Sequence, residues 1–161
     1  MSTIRMTMAQ ALVRYLCNQF TTVDGARVPL FPGVFAIFGH GNVTCLAEAL
    51  EAVKDILPTW RGQNEQSMAL AAIGFAKAKR RRQIMVATSS IGPGALNMIT
   101  AAGVAHTNRL PILILSARGD AKSVLSGMDA GASDYLPKPI LHHDLVAKVR
   151  RMLNLDPVSE D

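Results

Sequence analysis

Apolar and polar positions alternate along this chain in two rhythms. From Thr7 to Phe20, Met8, Leu12, Tyr15 and Leu16 recur at helical spacing, which predicts an amphipathic helix at the start. Later stretches are short and apolar almost throughout. Val34–Phe38, Ile84–Thr88 and Ile112–Ser116 read as strands buried on both faces, with briefer strands at Pro58–Arg61 and Asp134–Pro137. Helices are expected between them, from the Gly39–Asn42 turn to about Ile56, over Asn64–Ala78, over Gly94–His106, from Asp120 to Ala130, and over Leu141–Leu153. Thr21–Pro32, with Asp24-Gly25, Pro29 and Pro32, reads as a loop. Strands alternating with helices call for a parallel sheet with right-handed crossovers. The expected fold is therefore α/β: one three-layer domain with a five-stranded parallel sheet in the flavodoxin-like order 2-1-3-4-5 and an extra N-terminal helix.

Composition narrows the function. The 161 residues are 49% hydrophobic but only 5% aromatic, so Leu, Ile, Val, Ala and Met must fill the core. The net charge is +5, and five cations cluster at Lys77, Lys79, Arg80, Arg81 and Arg82, where a helix is expected to end. That position favours a solvated helix terminus over a nucleic-acid surface, and no nucleic-acid motif accompanies it. Cys17 and Cys45 lack metal-type spacing and are expected as free thiols in a reducing cytoplasm. Arg14, Asn18 and Gln19 interrupt the first apolar stretch before it resembles a signal peptide, and no run is long enough to span a membrane.

The residues with candidate chemistry gather near strand ends. Glu65 opens one helix, and Ser89, Ser90, Gly92 and Gly94 follow the central strand, with Asn97 a turn later. His40 follows the first strand in a glycine turn, Ser116 ends the fourth, and Lys138 follows the fifth. In the expected strand order His40, Ser89, Ser90, Gly92, Gly94, Ser116 and Lys138 would share one edge, an anion cleft for adventitious sulfate or phosphate. Helix capping explains Ser89, Ser90 and Asn97 as readily, and a first-turn position favoured by the helix dipole explains Glu65. His142 and His143 have no carboxylate or thiol at ligand spacing, so no metal site is expected.

Two families share these phrases. Residues 1–108, through Thr7–Leu12, Val34–Val43, Asn64-Glu65-Gln66 and Thr88–Gly94, resemble the pyrimidine-binding domain of thiamine-diphosphate-dependent enzymes, in the trihydroxycyclohexanedione hydrolase branch of inositol breakdown. Residues 110–155, through Pro111–Asp120 and Gly127–Pro139, resemble the C-terminal half of a bacterial response-regulator receiver, with a seam within 106–116. The first resemblance implies that Glu65 bonds the aminopyrimidine ring and promotes the tautomer that activates the thiazolium carbon. It also implies a diphosphate held through Mg²⁺ by a Gly-Asp-Gly…Asn segment, which this sequence does not contain. The second implies phosphoryl contacts for Ser116 and Lys138, but the matching strand ends, Gly39-His40-Gly41 and Thr88-Ser89-Ser90, offer no acceptor carboxylate. The expectation is a single hybrid domain over 1–161, made by fragment recombination, with no catalysis, bound cofactor or phosphotransfer of its own. Glu65 and Lys138 would be vestigial catalytic residues; Glu65, His40, Ser89, Ser90 and Asn97 would be vestigial cofactor contacts. Two alternatives stand beside it: the pyrimidine half of a split thiamine enzyme working through Glu65, and a degenerate receiver that binds a partner. A weak homodimer through Leu96, Met98 and Ile99 is the other expected association.

Overall fold

The computed structural model describes residues 4–110, 113–116, 125, 128–129, 132–137 and 142–152. They fall into two compact units, Met1–Ala101 and Ala102–Asp161. No helix among the described residues is long and apolar enough to cross a membrane.

The first unit opens with α1 (Met8–Cys17). Thr7 caps it reciprocally: its hydroxyl accepts from the Gln10 N–H at 3.2 Å, while the Gln10 side chain accepts from the Thr7 N–H at 2.8 Å. Val13, Tyr15 and Leu16 are buried. Replacing Thr7 by alanine orphans the Gln10 N–H, and a loss of about 1 kcal/mol is expected in denaturant unfolding, with Thr7→Ser close to wild type.

Next comes an antiparallel hairpin, β1 (Phe20–Val23) with β2 (Ala26–Pro29), where a loop was expected. Asp24 and Gly25 both take positive φ, 51° and 83°, the geometry of a two-residue turn whose twist suits strands. The Asp-Gly pair is thus a hairpin signal, masked in the sequence by Pro29 and Pro32. A three-stranded parallel sheet follows, with β3 (Val34–Ala36) between β4 (Thr59–Trp60) and β5 (Val86–Thr88). Its order is the expected 2-1-3 for these strands. Val34 and Ala36 are almost fully buried, as the middle strand of a sheet covered on both faces must be. A Cβ on Gly33 would stand 2.1 Å from the Trp60 ring, so glycine lets β4 close against the chain there.

Two expected helices are broken. The helix after β3 is a short α2 (Gly39–Asn42), a π-helical segment (Val43–Ala47) and a short α3 (Glu48–Glu51). The helix after β5 is α5 (Pro93–Asn97), interrupted at Met98 before α6 (Ile99–Thr107). Between them α4 (Glu65–Ala78) is continuous, capped by Asn64, whose side chain accepts from the Ser67 N–H at 2.8 Å.

In the second unit β6 (Leu113–Ser116) pairs parallel with β7 (Asp134–Pro137), the expected fourth and fifth strands, and a helix runs over His142–Met152. The described pairings are thus a three-stranded and a two-stranded parallel sheet plus the hairpin. Most of the helix expected over Asp120–Ala130 lies outside the described residues. Asp134 is buried and accepts from its neighbour's N–H, Tyr135, at 2.8 Å, and from the side chains of Lys148 and Arg151.

Candidate functional site

The site lies in the first unit, where the start of α4 meets the end of β5. Capping by Asn64 fixes the first turn of α4 and with it Glu65, which is only 6% exposed. Such burial of a carboxylate needs donors. Ser90 supplies one, its hydroxyl donating to Glu65 Oε1 at 2.8 Å. That hydroxyl is the strongest influence holding the Glu65 carboxyl below the usual glutamate range. The Glu65 backbone N–H acts the same way, burial opposes it, and the Ser90 N–H and the Asn97 side chain add further lowering. Glu65 is therefore more than a solvated first-turn residue: it is a buried, ionised acceptor with an assigned partner.

Glycines make the contact geometrically possible. A Cβ on Gly94 would fall 2.0 Å from Ser90 Oγ and 2.1 Å from Glu65 Oε1. A Cβ on Gly39 would fall 2.7 Å from the Ser90 Cβ, and Gly39 takes φ +60°. Gly92 turns the chain with φ 64° and ψ −121°, a region that only glycine enters freely. Asn42 Nδ2 donates to the Ser89 carbonyl at 3.4 Å and ties the turn after β3 to the turn after β5.

The other expected residues sort around this core. Ser89 is half-buried and His40 and Asn97 are exposed. Ser116 closes β6 in the second unit, and Lys138 lies outside the described residues. Two features oppose an anion at Ser89, Ser90, Gly92 and Gly94. Helix α5 has only five residues, so little dipole accumulates, and an ionised Glu65 already bonds Ser90. The face proposed for self-association is open, Leu96 being 64% and Ile99 51% exposed. The packing roles of Gly39 and Gly94 and the Asn42 tie were not read from the sequence. The only trace of them there is that glycines follow two strands.

The family description "thiamine pyrophosphate enzyme, N-terminal TPP binding domain" matches residues 31–137. This chain belongs to that family. The chain is 56% identical over 115 residues to the 3D-(3,5/4)-trihydroxycyclohexane-1,2-dione hydrolase of Geobacillus thermodenitrificans, and 52% identical over the same length to that of Bacillus thuringiensis. In each case 71% of this chain is aligned, and it spans only 18% of the relative's length. Solved structures similar to it are receiver domains. A response regulator from Chloroflexus aurantiacus is 25% identical with a TM-score of 0.46, covering 77% of this chain and 98% of that one. The receiver of a Luxo repressor from Vibrio parahaemolyticus is 18% identical with a TM-score of 0.44, covering 78% and 92%. Both scores are too low to support a functional step.

The cofactor of that family can be weighed against the residues present. A buried carboxylate held ionised, with a glycine leaving no side chain over it, fits the pyrimidine side of thiamine diphosphate. Among the described residues no three His, Cys, Asp or Glu side chains cluster to hold the metal ion.

Proposed function

We propose that this chain carries the pyrimidine-facing half of a thiamine diphosphate site and is catalytically silent by itself. The observation behind this reading is the Glu65 carboxylate, buried and held by Ser90 beneath Gly94. When bound, thiamine diphosphate supplies a carbanion centre for cleaving bonds next to a carbonyl. The role of this chain is narrower. Glu65 holds a proton acceptor where a ring nitrogen could share a proton, Ser90 fixes which oxygen is engaged, and the glycines keep side chains out of the way. A site with one ring contact and no diphosphate anchor forfeits most of the binding energy the whole cofactor could provide.

The rest of the reading concerns origin and setting. The chain is a hybrid, residues 1–108 from a thiamine enzyme and 110–155 from a receiver, joined within 106–116 by fragment recombination. The free thiols of Cys17 and Cys45 suit a cytoplasmic setting, and exposed Leu96 and Ile99 suit a weak homodimer. The second reading, a split enzyme completed by another chain, draws on the same Glu65 geometry.

Calorimetric titration with thiamine diphosphate and Mg²⁺ tests the proposal. The chain alone is expected to bind no tighter than about millimolar, roughly −4 kcal/mol. A separately supplied diphosphate-binding domain from a homologous hydrolase would distinguish the second reading, by restoring affinity that Glu65→Gln then weakens. Micromolar binding by the chain alone would overturn the half-site.

A further inference from the structure

A cavity of about 390 Å³ opens between α1 and the broken helix that follows β3. On α1, Val13, Arg14 and Cys17 share the face that lines it, and opposite them Glu48, Ala49 and Ala52 share another. The two alanines leave the seam open, where close-packed helices would fill it with larger side chains. The π-helical turn over Val43–Ala47 comes immediately before Glu48 and adds Cys45 to the lining; such turns within helices gather at functional sites. The volume falls in the range of small-molecule sites, ~300–1,000 Å³. The cavity shares no residue with the Glu65–Ser90 contact.

Its floor and its rim differ in chemistry. Val13 is 1% and Ala49 6% exposed, and Val53 is half-buried beside them. No aromatic side chain lines the cavity, so nothing favours a flat ring over an aliphatic group. The rim carries two opposite charges on facing elements, Arg14 and Glu48, both exposed. Glu51, three residues further on, is paired with Lys54. By contrast, neither Arg14 nor Glu48 makes an ion pair or a side-chain hydrogen bond among the described residues. An apolar floor between two unengaged charges of opposite sign specifies the complementary ligand.

We propose that this cavity binds an aliphatic α-amino acid, its carboxylate on Arg14, its ammonium on Glu48 and its side chain against Val13 and Ala49. The guanidinium fork matches a carboxylate, and a glutamate oxygen accepts from an ammonium. A simple anion held by Arg14 would meet the like charge of Glu48, and a simple amine held by Glu48 would meet Arg14. A zwitterion engages both at once. The apolar floor supplies the contact area while the two charges fix orientation, the usual division of labour in a small-molecule site.

Calorimetric titration of the whole chain with L-leucine tests this, beside the same skeleton lacking one charge: 4-methylpentanoate and 3-methylbutylamine. Wild type is expected to bind L-leucine with a Kd near a millimolar and each analogue about tenfold more weakly. Arg14→Gln should weaken L-leucine about tenfold and leave 3-methylbutylamine no worse; Glu48→Gln should weaken it equally and leave 4-methylpentanoate no worse. Ala52→Leu, which fills the cavity from its exposed rim, should weaken all three ligands. All three substituted positions are exposed, so the melting temperatures should stay at the wild-type value. No saturable binding of L-leucine up to about 10 mM, analogues that bind as tightly as L-leucine, or full affinity in any of the three variants would each overturn the proposal.

Discussion

Gly94→Ala should cost about 3 kcal/mol of stability and uncouple Glu65 from Ser90. Exchanging a helical glycine for alanine ordinarily gains up to ~1 kcal/mol. Here the new methyl would stand within 2.1 Å of both the Ser90 hydroxyl and the Glu65 carboxylate, so one or both must leave. Overpacking of this kind costs about 1–3 kcal/mol, and the Ser90–Glu65 hydrogen bond is lost with it. The effect should also appear in the titration of Glu65. Ser90 contributes most to its lowering, so without that contact the carboxyl moves upward while burial continues to push the same way. Gly74→Ala is the control. Nothing stands within 4 Å of a Cβ at Gly74, so that change should be neutral or slightly stabilising.

Removing the Asp134 carboxylate is expected to be nearly as damaging. Its side chain is 12% exposed and meets Lys148 at 29% and Arg151 at 72% exposure. Breaking a buried ion pair typically costs 3–5 kcal/mol, but Arg151 in particular regains water, so about 2–3 kcal/mol is the reasonable figure for Asp134→Ala at neutral pH. Burial raises the Asp134 carboxyl, but Lys148, the Tyr135 N–H and Arg151 together outweigh it and hold it below the usual aspartate range. A group depressed in the folded state stabilises above its unfolded value and loses that contribution as pH falls toward the folded one. The stability gap between wild type and Asp134→Ala should therefore be full above roughly pH 4–5 and shrink below it. Paired denaturant curves from pH 7 downward check this. A gap that stays constant or widens in acid would show that the ion pairs are not its source.

What the sequence disclosed and what it hid follow from the range of each interaction. The apolar run at Val34 announced a buried middle strand and the 2-1-3 order is the expected one, whereas the run at Val86, expected to be buried on both faces, forms a half-buried strand at the edge of the described three-stranded sheet. Local patterns failed where two signals competed, as at Asp24-Gly25, where the turn pair was hidden among prolines. They also failed at Val43–Ala47 and Met98, because apolar periodicity does not report whether a helix closes its bonds at i+4 or i+5. Glu65 was legible as a candidate, but its partner was not. Ser90 stands 25 residues away, brought near through the absence of side-chain atoms on Gly39 and Gly94. Asp134 escaped for the same reason, its cations lying 14 and 17 residues further on.

The most direct measurement is exchange of the thiazolium carbon proton of thiamine diphosphate for deuterium, followed by NMR with Mg²⁺ present. A pyrimidine half-site that is silent by itself should leave the exchange rate where it stands for the free cofactor, in wild type and Glu65→Gln alike. Acceleration by the chain alone, abolished in Glu65→Gln, would show an active site complete within these residues and contradict the half-site.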